Sequence, residues 1–353
     1  MKFLLEHPHI GAFFVAWFLA DIITPVMQYL SFKLNVLDHP HARKIHAEPI
    51  PRLGGAAIFL ACTLSILSTL DYSKSLLAIV GAGCFITFMG LADDFFSIPA
   101  TVKFVFLFAV ILVLAFGFEI HLRVPFENII INILITAVWM VYVMSCFNGI
   151  DNMDGEAAGV TYICGVAFYL ISYGTDQSAM GYLAICLAGS CFGFLRYNIN
   201  PASIFMGDSG AFFIGFMIAS MAIMGEWAGH DAPLKAVVIP LLVLAFPMFD
   251  LFYTTLMRYR SKKVKTFREA IMLSAKDHTA HRIQVLFLLT HRETVLACYL
   301  LAAIPAALAV MASVFAHAYA AIFLFGTVAM FAVVGYFLGK AKPHYHEENT
   351  PAE

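Results

Sequence analysis

Five aspartates, Asp93, Asp94, Asp151, Asp154 and Asp208, stand where long apolar runs give way to polar segments. A carboxylate beside hydrocarbon is costly unless a cation or polar partner meets it. Each lies in a glycine-bearing stretch: Gly90-Leu91-Ala92-Asp93-Asp94, then Asn148-Gly149-Ile150-Asp151-Asn152-Met153-Asp154-Gly155, then Phe205-Met206-Gly207-Asp208-Ser209-Gly210. Basic and imidazole side chains accompany them. Arg43, Lys44 and His46 occupy the first polar segment, Lys103 the second, and Asp277-His278-Thr279-Ala280-His281-Arg282 the last. A divalent ion such as Mg²⁺ takes oxygen ligands and commonly bridges carboxylates to substrate phosphates. Lys, Arg and His would hold the remaining phosphate charge, and glycine lets backbone approach closely. Positioning and charge neutralisation are most of what phosphoryl transfer asks of a protein. The pattern therefore points to metal-assisted chemistry on phosphates.

Simpler roles compete at each position. Asp93 and Asp94 as a solvated helix end would sit at a C-terminus, where negative charge is disfavoured. Asp151 and Asp154 share a face if helical, and one of them could cap a helix. Asp208 alone could equally cap the run that follows it. His278 and His281, taken singly, suit an ordinary surface. Asp250, in Pro247-Met248-Phe249-Asp250, suits a structural or supporting role, and Asp21, within the first apolar run, has no assigned partner.

The elements that must carry these residues are membrane helices. Of 353 residues, 61% are hydrophobic and 12% charged, against about a quarter charged in a soluble domain. Eleven candidate spans fall at roughly 10–34, 54–70, 75–92, 102–118, 128–147, 157–173, 178–195, 210–225, 233–257, 293–313 and 318–339; many approach the ~20 residues that cross a bilayer, and the two ending near 70 and 118 are short. The expected architecture is all-α, one transmembrane catalytic domain over 1–340 and a polar, disordered tail over 341–353. The N-terminal run is expected to be the first span and not a cleaved leader. Pro240 and Pro247 are expected to bend the ninth. The seven cysteines all lie in apolar runs without a CxxC pair, which predicts free core thiols. With the segment after the first span placed inside, seventeen Lys and Arg fall inside and only Lys2, Lys74, Arg123 and Lys235 outside. This bias predicts an external N-terminus, a cytoplasmic C-terminus and all five aspartates on the cytoplasmic face. A transporter would carry its acids nearer the midplane and show an inverted repeat; neither is visible.

Taken together, the loops resemble the polyprenyl-phosphate N-acetylhexosamine-1-phosphate transferases, the glycosyltransferase family that holds the MraY translocase and its WecA-like and TagO-like relatives. The matching stretches are Arg43-Lys44-Ile45-His46 with Pro49-Ile50-Pro51-Arg52-Leu53-Gly54-Gly55, Gly90–Asp94, Asn148 with Asp151 and Asp154-Gly155, Phe205–Gly210, and Pro247 with Asp250. They run in family order from about residue 30 to 285. The resemblance implies Mg²⁺ (with Mn²⁺ as a substitute), a UDP-amino-sugar donor, undecaprenyl phosphate as acceptor, and release of UMP at the inner face of the plasma membrane. It implies Asp93 and Asp94 as catalytic, with Asp93 the base for the lipid phosphate, and Asp94 and Asp208 at the metal. Lys44, His46, Lys103, Asn148, Asp151, Asp154, His278, His281 and Arg282 would then bind substrate. Two routes stay open: direct attack by the lipid phosphate, or a covalent aspartyl intermediate. Many relatives carry His-x-His-His in the last loop, and Ala280 replaces the middle one here, which leaves the sugar open. The Arg43–Gly55 stretch looks more TagO- or WecA-like, favouring UDP-N-acetylglucosamine over the UDP-muramoyl-pentapeptide. A bilayer, no nucleic acid, and a homodimer as one compatible assembly complete these expectations.

Overall fold

A computed structural model of the chain describes residues 8–39, 48–69, 73–122, 128–227, 233–262, 264, 266, 269 and 276–341. Lys44 and His46, and the tail from 342, lie outside the described residues.

The expected apolar runs are helices. In chain order they are α1 (Pro8–Leu34), α2 (Gly54–Thr69), α3 (Lys74–Phe96), α4 (Ala100–Gly117), α5 (Ile129–Ile150), α6 (Glu156–Gly174), α7 (Ser178–Asn198) and α8 (Gly207–Met224). Then come α9 (Pro233–Val243), α10 (Ala245–Arg260), a short α11 (Thr279–Phe287), α12 (His291–Val314) and α13 (His317–Leu338). A two-residue pair, β1 (Leu37–Asp38) with β2 (Ile50–Pro51), is the sheet content of the described residues. Among those residues nine helices are long and apolar enough to span a bilayer, and α9 with α10 makes a tenth, bent by 71°. The remaining expected span, α2, is a 16-residue apolar helix, short for a full crossing. The chain is thus a multi-pass membrane protein.

Local sequence explains the ends. Ser73 and Asn128 accept a backbone N–H at the starts of α3 and α5, and Thr290 with Glu293 forms a capping box on α12. The bend falls between Pro240 and Pro247, as expected from two residues that lack the N–H a continuous helix needs. All seven cysteines are free.

Burial orders the bundle. In α7 and α8 83% of the span is buried, whereas α13 has 17% and α1 and α4 have 22%. So α8 is a central post and α1, α4 and α13 face lipid. Apolar packing alone does not drive helices together in hydrocarbon; close backbone approach through small residues does. A Cβ on Gly90 of α3 would stand 2.3 Å from Ser209 Cα, and one on Gly55 of α2 would stand 2.0 Å from Gly210 N. The start of α8 is therefore pressed between two backbones. Asp94 lies one turn beyond Gly90 on the same face of α3, so that contact delivers it to the α8 N-terminus. Backbone pairing adds to the grip: Gly54 and Gly55 N–H donate to Phe205 and Met206 C=O at 3.0 and 2.8 Å.

Gly90→Ala should lower the thermal midpoint in detergent, with a cost of about 1–3 kcal/mol from forced overpacking. Gly81→Ala on the same helix, where a Cβ meets nothing within 4 Å, should be neutral or stabilising by about 0.5–1 kcal/mol. Equal responses of the two variants would disprove the backbone contact.

Candidate functional site

The acidic stretches meet at one end of the bundle. That end gathers the last turns of α3, α5 and α7 and the first turns of α2, α4, α6, α8 and α12. The turn after α3 is tight. Ser97 adopts a left-handed conformation, Pro99 precedes α4, and Lys103 follows within its first turn. This brings Lys103 back onto Asp93: Nζ lies 2.9 Å from Asp93 Oδ2 and 2.7 Å from Asp208 Oδ2. Asp93 Oδ1 accepts the Ile98 N–H at 2.6 Å, and Asn148 Nδ2 approaches Asp208 Oδ1 at 3.4 Å. Four residues from four helices thus share one charge cluster, which is what their sequence spacing could not show.

Asp94 is placed differently. Its side chain has no exposed surface and accepts the N–H groups of Asp208 and Ser209 at 3.2 and 3.3 Å, with Arg52 Nη2 at 3.4 Å from Oδ1. It stands at the C-terminus of its own helix, where negative charge is disfavoured, but also at the N-terminus of α8, where unpaired N–H groups and the dipole favour it. Gly207 is needed between them. Its φ is +70°, and a Cβ there would stand 2.7 Å from Asp94 Oδ2. Asp208 is therefore not the cap of α8; Asp94 supplies that from outside.

Asp151 and Asp154 lie in the turn between α5 and α6, not on a helical face. Burial, and the neighbouring carboxylates of Asp208, Asp94 and Asp154, push Asp151 up to about 7, with Arg52 opposing. Asp154 Oδ2 accepts from Asn200 Nδ2 and Ala202 N–H at 2.8 and 3.0 Å, so it holds the turn before α8. Asn198 Oδ1 takes the Gly155 N–H at 3.0 Å.

A cavity of about 520 Å³ opens beside this cluster. Its wall includes Asn148, Asp151, Asp154, Asp208 and His281 from the expected set. It also includes Asp38, Arg52, Asn198, Asn200, Lys276 and His291, to which the sequence had given no site role. Arg52 and Asn198 had a signal: the first lies within a family motif, the second is a polar residue at an inner helix end. Lys103 and Asp93 belong to the charge cluster beside the cavity. His278 and Arg282, expected to bind substrate, lie behind the wall. Asp250 accepts from His278 Nδ1 and the Thr279 N–H, both at 2.7 Å, so Asp250 holds the start of α11. Asp277 pairs with Arg258 at 2.8 and 2.5 Å, and Arg282 Nε donates to Asp277 C=O at 2.8 Å. Arg282 also lies 5.7 Å from the Tyr253 ring centre. These contacts hold the start of α11, and His281 of that helix lies in the cavity wall. Asp21, left unassigned, pairs with Arg196 at 3.0 Å.

No group of three His, Cys, Asp or Glu side chains forms a protein cage for a metal among the described residues. Mg²⁺ seldom needs one, since it is held by one or two carboxylates together with waters and substrate phosphates. Asp93 and Asp208, which already converge on the Lys103 ammonium, fit that requirement, with the Asp151 carboxyl in the cavity wall beside them.

Burial, with His278 and Lys276 nearby, pushes His281 down to about 4, so its imidazole is neutral at pH 7. Between that value and the ordinary ~6.5 the unfolded chain binds the extra proton, so the folded state loses stability as pH falls. His281→Gln should lose less thermal stability between pH 7 and pH 5 than the parent. Identical pH profiles would show that His281 titrates normally.

Comparison with known proteins agrees with this geometry. Residues 76–226 match the model of glycosyl transferase family 4. A probable undecaprenyl-phosphate N-acetylglucosaminyl 1-phosphate transferase of Bacillus subtilis (strain 168) is 31% identical over 298 residues, 82% of this chain and 81% of the relative. A decaprenyl-phosphate N-acetylglucosaminephosphotransferase of Mycobacterium leprae is 29% identical over 78% of this chain and 77% of its own length. A phospho-N-acetylmuramoyl-pentapeptide-transferase of Caldicellulosiruptor bescii is 29% identical over 60% of this chain and 72% of its own. The chain, with its acidic clusters joined at one end of a membrane bundle, belongs to glycosyl transferase family 4, the polyprenyl-phosphate sugar-1-phosphate transferases.

Proposed function

We propose that this enzyme moves N-acetylglucosamine-1-phosphate from UDP-N-acetylglucosamine to undecaprenyl phosphate at the cytoplasmic face of the plasma membrane, with Mg²⁺, and releases UMP. The observation that carries the reading is the meeting of Asp93, Lys103, Asn148 and Asp208 beside a polar cavity at one end of the bundle. The acids lie at helix ends, not mid-span, which favours surface chemistry over ion transport. The bias read from the sequence, seventeen Lys and Arg assigned inside against four outside, supports a cytoplasmic site.

An apolar groove of about 1060 Å³ supports a lipid acceptor. Phe249, Phe252, Leu256, Leu324, Val328 and Phe331 line it, with Arg260 and Lys340 also in its wall. Tyr142 of α5 lines the groove, and Asn148 of the same helix lines the polar cavity. They stand six positions apart on the helix, about 9 Å at ~1.5 Å per residue, so one helix links a hydrocarbon surface to the phosphate site. The cavity is within the range of roughly 300–1,000 Å³ that holds small ligands. The relatives named for N-acetylglucosamine also align over more of the chain than the pentapeptide transferase does.

In this reading an oxygen of the lipid phosphate attacks the β-phosphorus of the donor. Asp93 takes any proton that oxygen carries, the bond between β-phosphorus and the bridging oxygen breaks, and UMP leaves on that oxygen. Lys103 and Arg52 neutralise phosphate charge. Magnesium held by Asp208 would supply further charge stabilisation. Asn148, Asp151, Asp154 and His281 would orient the nucleotide sugar.

Purified protein with UDP-N-acetylglucosamine, Mg²⁺ and undecaprenyl phosphate should release UMP, and a chelator should stop it. Asp93→Asn should lower kcat by about 10²–10⁴. Release from the UDP-muramoyl-pentapeptide instead would reassign the donor; no UMP from any UDP-sugar would defeat the proposal.

A further inference from the structure

We infer that Asp94 is a positioning residue that fixes the start of α8, and through it Asp208, and is not a ligand of the metal. The inference rests on the metal-dependent reading above and deepens it. Two adjacent aspartates at a phosphate site invite the view that both grip the ion. Their surroundings separate them. The Asp93 and Asp208 side chains keep 12% and 21% of their surface exposed and share one cation, while Asp94 keeps none. Both Asp94 oxygens are committed. Oδ1 faces the Asp208 N–H and Arg52 Nη2, and Oδ2 faces the Ser209 N–H. Turning either oxygen to a metal would orphan a buried amide at the first turn of a helix, which has no intrahelical partner to offer in exchange.

The surrounding backbone is built for that contact. Gly90 lets α3 meet α8 without a side chain between them, and the positive φ of Gly207 starts α8 directly beneath the carboxylate. The residue whose N–H Asp94 holds is Asp208 itself. Asp94 therefore sets the place and direction of the carboxylate that meets Lys103. Arg52 compensates its charge and ties it to Asp38, 4.0 Å from the same guanidinium, at the cavity wall.

Metal binding and fold stability should come apart in two variants, measured on the purified full-length protein. In chelator, Asp94→Asn should lower the thermal midpoint by about 2–4 °C, as loss of a helix cap does. It should still be saturated by Mn²⁺, with affinity reduced by about 10–100-fold. Asp208→Asn should keep the metal-free midpoint and fail to saturate. An Asp94→Asn variant that is fully stable without metal and binds no Mn²⁺ would overturn the assignment. Should that variant not fold, amide exchange on the parent decides. The peptide containing Asp208 and Ser209 should be protected without metal and unchanged by Mn²⁺; protection that falls when Mn²⁺ is added would mean that the carboxylate swings to the ion. A parent that neither binds Mn²⁺ nor releases UMP would sink the metal-dependent reading instead, and the metal-free stability and exchange results would still settle the role of Asp94.

Discussion

The site depends on buried carboxylates that accept the free N–H groups at the start of a neighbouring helix. Asp94 of α3 does this for α8, and Asp250 of α10 does it for α11. In both cases the helix so held presents a side chain to the site, Asp208 in one and His281 in the other. The starts of α8 and α11 are buried, with Ser209 and Thr279 fully covered, so an external acceptor is worth more there than in a solvated loop. Asp154 applies the same economy to the turn before α8, by accepting from Asn200 and Ala202. Acids that look catalytic by composition therefore divide into two kinds, those that face the cavity and those that hold its walls.

This division explains the electrostatics. Asp93 and Asp208 are near enough to repel, and Lys103 between them makes their approach tolerable. Asp151, with other carboxylates around it and Arg52 as the opposing charge, is pushed up to about 7. Such an excess of negative charge in a confined space is the environment in which a divalent cation is welcome. Arg52 serves two acids at once, Asp38 and Asp94, and so joins the first polar segment to the core of the site.

Much of the helical framework was legible in the sequence, because a span is announced by its own hydrocarbon length. The bend in the ninth span was legible from Pro240 and Pro247. What pattern alone could not give was the partner of each acid. Asp93 and Asp94 are neighbours in sequence but point to different tasks, since consecutive residues on a helix are turned about 100° apart. The objection to a carboxylate at a helix C-terminus was sound for α3 taken alone. It fails because the nearest charge that matters belongs to α8, more than a hundred residues on. Likewise His278 and Arg282 carry the residue types of a binding loop, yet pair with Asp250 and Asp277, contacts that only tertiary structure can reveal.

Helix α10 has two working faces. Asp250, Thr254 and Arg258, spaced one turn apart, are buried, and Asp250 and Arg258 anchor the segment at α11, while Phe249, Phe252, Leu256 and Met257 line the apolar groove. One helix thus lines the apolar groove with one face and, through Asp250, holds with the other the short helix whose His281 lies in the wall of the polar cavity. The hydrocarbon surface of the groove and the placement of His281 are therefore tied to the same sixteen-residue helix.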